Sequence, residues 1–301
     1  TRQLNEIKPD LIVVEQHLPT AFALTCLMNI PVVLHTHNFP KPPSHNFIAR
    51  KYKGFLYSRL SGVMFVSDAC RDVFASYYGN LIPSAVVPNG QPLKQRIGNR
   101  YVDQEETFST ISKCCEKGVC NTAPGQDKNE THYLPFCTCT ESAARCQYSN
   151  RPVKDQIILV VGRCAEEKGI LEAALAAIEI LKKYPDWKFR FILSELDKHP
   201  RYTEKVLQAL RDVTGVDILV NIPHKEVLAH YSRSAIALIP SKWKEPFGRT
   251  ALEGHFARCG VISSGTGGLR EISGPYALYI DPNCPTAIAS ATFRAMMPPA
   301  W

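Results

Sequence analysis

The sequence predicts an α/β protein of two domains, each a parallel sheet with helices on both faces, set opposite one another across a cleft. Three observations predict it. Short apolar runs alternate with helical stretches in both halves of the chain, the pattern of strand–helix–strand units. A length of 301 residues favours two cores over one. Between positions 91 and 152 the alternation is lost, and so long a structureless run inside one compact domain would be unusual.

The elements follow in order. Asp10 to Glu15 reads as a buried strand and Thr20 to Met28 as a helix. Pro31 to His37 is a second strand, ending in histidines, and Asn46 to Leu60 is a helical stretch carrying Arg50, Lys51, Lys53 and Arg59. Gly62 to Ser67 is a third strand, Asp68 to Tyr78 a helix, and Ala85 to Gly90 a short strand and turn. The second domain opens on the continuous apolar strand Gln156 to Val161. Then comes a helix with Ile170, Leu171, Ala174, Ile178 and Leu181 at helical spacing. Strands are expected at Lys188–Leu193, Asp217–Val220, Ala235–Ile239, Gly260–Ser263 and Tyr276–Asp281, with helices over Tyr202–Val213 and His224–Tyr231. The expected division is a partial N-terminal domain over residues 1–94, an irregular Cys-rich insertion over 95–152 and a C-terminal domain over 153–301.

Composition narrows the function classes. With 45% hydrophobic and 21% charged residues the chain can bury full cores. No apolar run is long enough to span a bilayer as a helix, and no signal-peptide pattern opens the sequence; the expected location is cytoplasmic. A net charge of +7 fits phosphorylated ligands or an anionic membrane surface. The lack of a Lys/Arg tract interleaved with aromatics argues against nucleic acid. Of the eleven cysteines, Cys114, Cys115, Cys120, Cys137, Cys139 and Cys146 cluster without a CxxC pair. That spacing weakens a zinc reading, and an oxidising compartment would favour disulfides. Asn129-Glu130-Thr131 is a glycosylation sequon, meaningful only on secretion. The cluster is taken as an accessory insertion outside the chemistry.

The segment that carries most information is Glu245-Pro246-Phe247-Gly248-Arg249-Thr250-Ala251-Leu252-Glu253, two carboxylates with seven residues between them. It follows a buried strand and Pro240-Ser241, and precedes Gly265-Thr266-Gly267-Gly268-Leu269-Arg270-Glu271. Glu245 is expected just before a helix and Glu253 about two turns inside it. On one helix a spacing of eight leaves them about 80° apart, so they share a face only if the first lies in the preceding loop. A helix N-terminus at the end of a parallel strand suits phosphate, and a carboxylate beside it suits sugar hydroxyls. Gly162-Arg163 with Lys168-Gly169 at a strand-to-helix junction offers a fork and a point charge for one diphosphate. The bland alternatives are a solvated helix start and incidental carboxylates. His37 ends a strand where ligands bind in doubly wound folds, while His35 is expected on the opposite face.

Taken together these motifs resemble the retaining glycosyltransferases of the GT-B fold, in the family-four group typified by bacterial polysaccharide and lipopolysaccharide-core enzymes. Val161-Gly162-Arg163, Lys168-Gly169, Ile239-Pro240-Ser241, Glu245 through Glu253 and Gly267 to Glu271 carry the resemblance. Ser67, Pro88-Asn89-Gly90 and His37 support it. The resemblance implies two Rossmann-like domains and transfer of a sugar from a nucleotide-sugar to an acceptor hydroxyl with retention. It implies that Gly162, Arg163, Lys168, Phe247, Gly248 and Glu253 bind the donor, Glu253 through the ribose, and that Glu245 and His37 act on the donor sugar. It further implies a sugar, glycan or glycolipid acceptor, peripheral contact with the inner face of a membrane, and no metal or other cofactor. Relative to the family the chain is expected to be a fragment, without the opening strand and Gly-rich loop and with few of the closing helices. A non-catalytic nucleotide-sugar-binding protein is the alternative. A nicotinamide-dependent dehydrogenase is disfavoured because no G-x-G-x-x-G follows either opening strand with a suitably placed acidic residue. A Cys-rich extracellular interaction protein would be betrayed by disulfides.

Overall fold

The computed structural model describes residues 2–42, 46–90, 94–97, 100–103 and 154–297. The Cys114–Cys146 cluster and the sequon at Asn129 lie outside them.

The N-terminal domain holds α1 (Arg2–Ile7), β1 (Ile12–Glu15), α2 (Leu18–Leu27), β2 (Val32–Thr36), α3 (Phe47–Ser58), β3 (Gly62–Phe65), α4 (Asp68–Tyr78) and β4 (Ser84–Val86). Its four strands pair in parallel in the order β1-β2-β3-β4. Val32, Leu34, Val63 and Phe65 are buried in its core with Tyr57 and Phe74 from the covering helices. A short antiparallel pair, β5 (Lys94–Ile97) and β6 (Arg100–Asp103), stands at the start of the stretch expected to be irregular.

The second domain runs β7 (Asp155–Arg163), α5 (Ile170–Lys183), β8 (Lys188–Ser194), α6 (Pro200–Leu210), β9 (Val216–Val220) and α7 (His224–Arg233). It continues with β10 (Ser234–Ile239), α8 (Arg249–Phe256), β11 (Gly260–Ser263), α9 (Gly268–Ser273), β12 (Ala277–Tyr279) and α10 (Pro285–Met296). All six strands pair in parallel in the order β12-β11-β10-β7-β8-β9. The chain winds outward from β7 to β9, returns to β10 beside β7, and winds outward the other way. That reversal puts a topological switch point between β7 and β10, where such sheets bind ligands beyond their strand ends. The sheet is covered on both faces, which is why Ile157 to Val160 form an unbroken apolar run. α5 presents Ile170, Ala173, Ala174, Ala177, Ile180 and Leu181 to the core at helical spacing. Both domains thus have the Rossmann-like architecture that the sequence predicts.

Besides β5 and β6, two helices differ from the sequence expectation. α10 has Pro285 in its first turn and buries Ile288, Ala291, Thr292 and Ala295 against the core that α5 also covers. Its 3–4 spacing is legible in retrospect, but small residues make a weak apolar stripe. α9 occupies what reads as a glycine-rich loop. Gly267, at φ 59°, leads into it because a Cβ there would overlap the Glu245 backbone.

One stability prediction arises from α8. Its His255 has a ring nitrogen, Nε2, that is buried without a hydrogen-bond partner, and burial holds its pKa below the ordinary histidine value. The unfolded chain therefore takes up a proton near pH 6.5 that the folded protein resists, so stability falls as pH drops below that value. His255→Gln should flatten the decline of the urea midpoint between pH 7 and 5. An equally steep decline in the variant would refute this.

Candidate functional site

The C-terminal ends of β7 and β10 form the floor of a pocket lined by Gly162, Lys168, Pro240, Ser241, Glu245 and Thr250. Each side chain has a local cause. β7 ends on Gly162 and Arg163, and a single 3-10 turn over Glu166–Lys168 swings Lys168 back over the strand end. Gly169 follows with φ 66° at a point where a Cβ would strike the Pro240 carbonyl. Glycine is thus required for the β7 and β10 loops to meet. Glu245 is fixed by a parallel bridge to Gly267 and by its carbonyl, which accepts from Gly268 N at 2.7 Å.

Lys168 Nζ donates to Glu245 Oε1 in a short contact, with both side chains mostly shielded from water. Ser241 Oγ donates to the same oxygen at 2.7 Å. Cation and carboxylate thus hold each other over the strand ends. Arg163 is more open, at 42% exposure, and is held by Glu167 at 3.0 Å and Glu195 at 3.8 Å. Gly248, at φ 102°, starts α8; no side chain caps that helix, and Thr250 in its first turn faces the pocket. Because α8 begins at Arg249, Glu253 lies little more than one turn in, not two. Glu253 is 5% exposed, accepts from His224 Nε2 at 2.9 Å and has Arg249 Nη2 at 3.6 Å. Its anchoring by His224, from the start of α7, is a partnership that spacing along the chain does not reveal. Phe247 turns away from the pocket. At 4% exposure its ring is part of the N-terminal core.

His37 stands just beyond β2, and its Nε2 makes a 2.6 Å hydrogen bond with Glu15 Oε2. His35 Nδ1 bonds the other Glu15 oxygen at 3.2 Å, and the two rings are 4.3 Å apart. The expectation that His35 faces the opposite way is corrected: residues two apart on a strand share a face, and β1 pairs Glu15 directly with His35. The His37 bond is the main influence holding the Glu15 carboxyl below its ordinary pKa. Among the described residues, Glu15, His35 and His37 form the one group whose donor atoms could surround a metal ion, all within 4.8 Å of each other. No described helix is long and apolar enough to cross a membrane.

The domains meet beside the pocket. Ser67 Oγ donates to the Pro246 carbonyl at 2.5 Å, and the Glu271 carboxylate accepts from Asp68 N and Ala69 N at 2.7 Å each. Leu252 and Ile272 pack with Phe247 against the N-terminal core.

Known proteins share this architecture. The sucrose-phosphate synthase of Thermosynechococcus elongatus superposes with a TM-score of 0.65 at 18% identity, covering 100% of this chain and 67% of that one. A glycosyltransferase from Rickettsia africae gives 0.65 at 19% identity, over 98% and 68% of the two chains. Anabaena HepE in complex with UDP and glucose gives 0.61 at 19%, over 96% and 69%. In sequence, Mycobacterium tuberculosis glycogen synthase is 30% identical over 158 residues, 48% of this chain and 34% of the relative. The D-inositol 3-phosphate glycosyltransferase of Corynebacterium urealyticum is 29% identical over 160 residues, 50% and 37% of the two. The chain therefore spans about a third of the length of these relatives. Residues 1–95 match glycosyltransferase family 4 and residues 146–296 match glycosyl transferases group 1. With both halves matched and the pocket at the switch point of the second sheet, the chain belongs to the group 1 glycosyl transferases, of GT-B fold.

Proposed function

We propose that the protein transfers a sugar from a nucleotide-diphosphate sugar to an acceptor hydroxyl, with retention at the anomeric carbon, in the synthesis of a polysaccharide or lipopolysaccharide. The observation that carries the proposal is the Lys168–Glu245–Ser241 cluster over the switch point of a parallel sheet. A diphosphate arriving there gives Lys168 a stronger anionic partner and releases Glu245 toward the sugar hydroxyls. Lys168 and Arg163 then face the charge that grows on the leaving phosphate, joined by the start of α8. In the transfer the bond from the anomeric carbon to the phosphate oxygen breaks and a bond to the acceptor oxygen forms. The acceptor proton leaves with the nucleoside diphosphate.

Glu253, already ordered by His224, takes the ribose hydroxyls, and His37 meets the sugar from the N-terminal side of the cleft. Two cations and a helix start supply the positive charge, so the reaction runs without metal. The acceptor is a sugar, glycan or glycolipid, with the protein resting against the inner face of a membrane when the acceptor is lipid-linked. Uridine nucleotides are the first probes, because the similar HepE chain holds UDP and glucose. The decisive experiment is a labelled nucleotide-sugar panel with mixed acceptors, the product linkage read by NMR. A retained anomeric configuration is expected, and an inverted product would overturn the mechanism. Isothermal titration with UDP should show binding that weakens at least tenfold in Arg163→Ala, as loss of a charge-assisted contact to a diphosphate requires. Unaltered binding would remove Arg163 from the donor site.

A further inference from the structure

We infer that Glu271 is a positioning residue, a latch that ties the N-terminal domain to the donor loop through the start of α4. The inference rests on the glycosyl-transfer reading for its kinetic consequence and on geometry alone for the contact. An α-helix leaves its first amides without intrahelical partners. In α4 the first two, Asp68 N and Ala69 N, are both taken at 2.7 Å by the two oxygens of Glu271, from the opposite domain. The next, Cys70 N, is taken by Ser67 Oγ at 3.1 Å, and Ser67 in turn donates to the Pro246 carbonyl. The neighbouring acid, Asp68, is paired with Arg71 at 2.5 Å, which relieves its repulsion of Glu271. A carboxylate on two helix-start amides gains both charge-assisted bonds and the favourable helix dipole.

The other end of the latch is the donor loop. Glu271 lies on α9, a helix whose first residue, Gly268, bonds the carbonyl of Glu245, with a parallel bridge pinning Glu245 to Gly267. Pro246 carries the second link and Phe247 is buried in the N-terminal core. Three consecutive residues of the donor motif are thus tied to α9 or to the N-terminal domain. The contact is therefore a pivot: any rocking of the domains must turn about it, carrying Glu245 along. Nucleotide held by Lys168 and Arg163 would barely sense the latch, whereas the register between donor sugar and acceptor side would depend on it.

The test compares the full chain with Glu271→Gln and Glu271→Ala. Hydrogen exchange of the amides at 68–70, X-ray scattering, UDP titration and steady-state kinetics are read together, and thermal midpoints confirm folding. Expected are faster exchange at those amides in both variants, UDP affinity within about twofold of wild type, and a fall in kcat of about tenfold or more with little change in donor KM. A tenfold effect corresponds to loss of one charge-assisted contact. Unaltered exchange and scattering in both variants would overturn the latch. A loss of UDP affinity equal to the loss of kcat would also overturn it, by making Glu271 a donor ligand. If Glu271→Ala fails to fold, Glu271→Gln decides, since it keeps size and one acceptor. Absence of turnover in wild type would count against the glycosyl-transfer reading, and the exchange data would still decide the latch.

Discussion

Lys168→Ala should weaken nucleotide-diphosphate binding by about a hundredfold, and should lower turnover by as much again. Two effects add. The variant loses the point charge that meets the diphosphate; a bond to a charged group contributes about 1.5–3 kcal/mol, and such a charge is worth more where it opposes developing negative charge. It also leaves Glu245, whose side chain is only 16% exposed, facing the incoming phosphate with Ser241 as its remaining polar neighbour. Lys168→Arg should recover part of the affinity and less of the turnover. A fork cannot reproduce a point charge pressed against one carboxylate oxygen. Titration with UDP and single-turnover kinetics check both statements. Affinity in Lys168→Ala within twofold of wild type would place the diphosphate elsewhere.

Phe247→Ala should be the most destabilising single change in the donor motif, costing about 3–5 kcal/mol, the range for removing a buried aromatic ring. The side chain is 4% exposed and sits among N-terminal core residues although it belongs to the C-terminal domain's loop. Its removal opens a cavity at the domain contact, so urea unfolding should separate into two transitions in place of one. Proteolysis should also become faster at the loop. A loss under about 1 kcal/mol would show that the ring can be replaced by collapse of its neighbours.

Most of the strand–helix alternation was legible in the sequence because β7, β10 and β11 are buried on both faces and read as short apolar runs. Helix α4 has the bounds, Asp68 to Tyr78, that the sequence predicts, and only the structure shows Ser67 capping it. α10 escaped because alanine and threonine fill most of its inward positions. The site was legible as a set of residue types: a cation after β7, paired acids around α8, and glycines between β11 and α9. Which of these touch was not. Nothing in the spacing says that Lys168 meets Glu245, that His224 holds Glu253, or that Glu15 bridges His35 and His37. Each is a contact between elements 20 to 77 residues apart in the chain.

What the sequence by itself determined is the family, the two parallel-sheet domains and the candidate donor residues. Those follow from local periodicity and from motifs whose spacing is set by one strand end and one helix start. What only the tertiary structure decided is the state of those residues. Lys168 and Glu245 neutralise each other, Phe247 belongs to the other domain's core, and Glu271 caps a helix across the domain boundary. The physical reason is that burial and pairing depend on which loops the winding order brings together. The reversal between β7 and β10 that gathers them becomes visible only when the sheet is assembled.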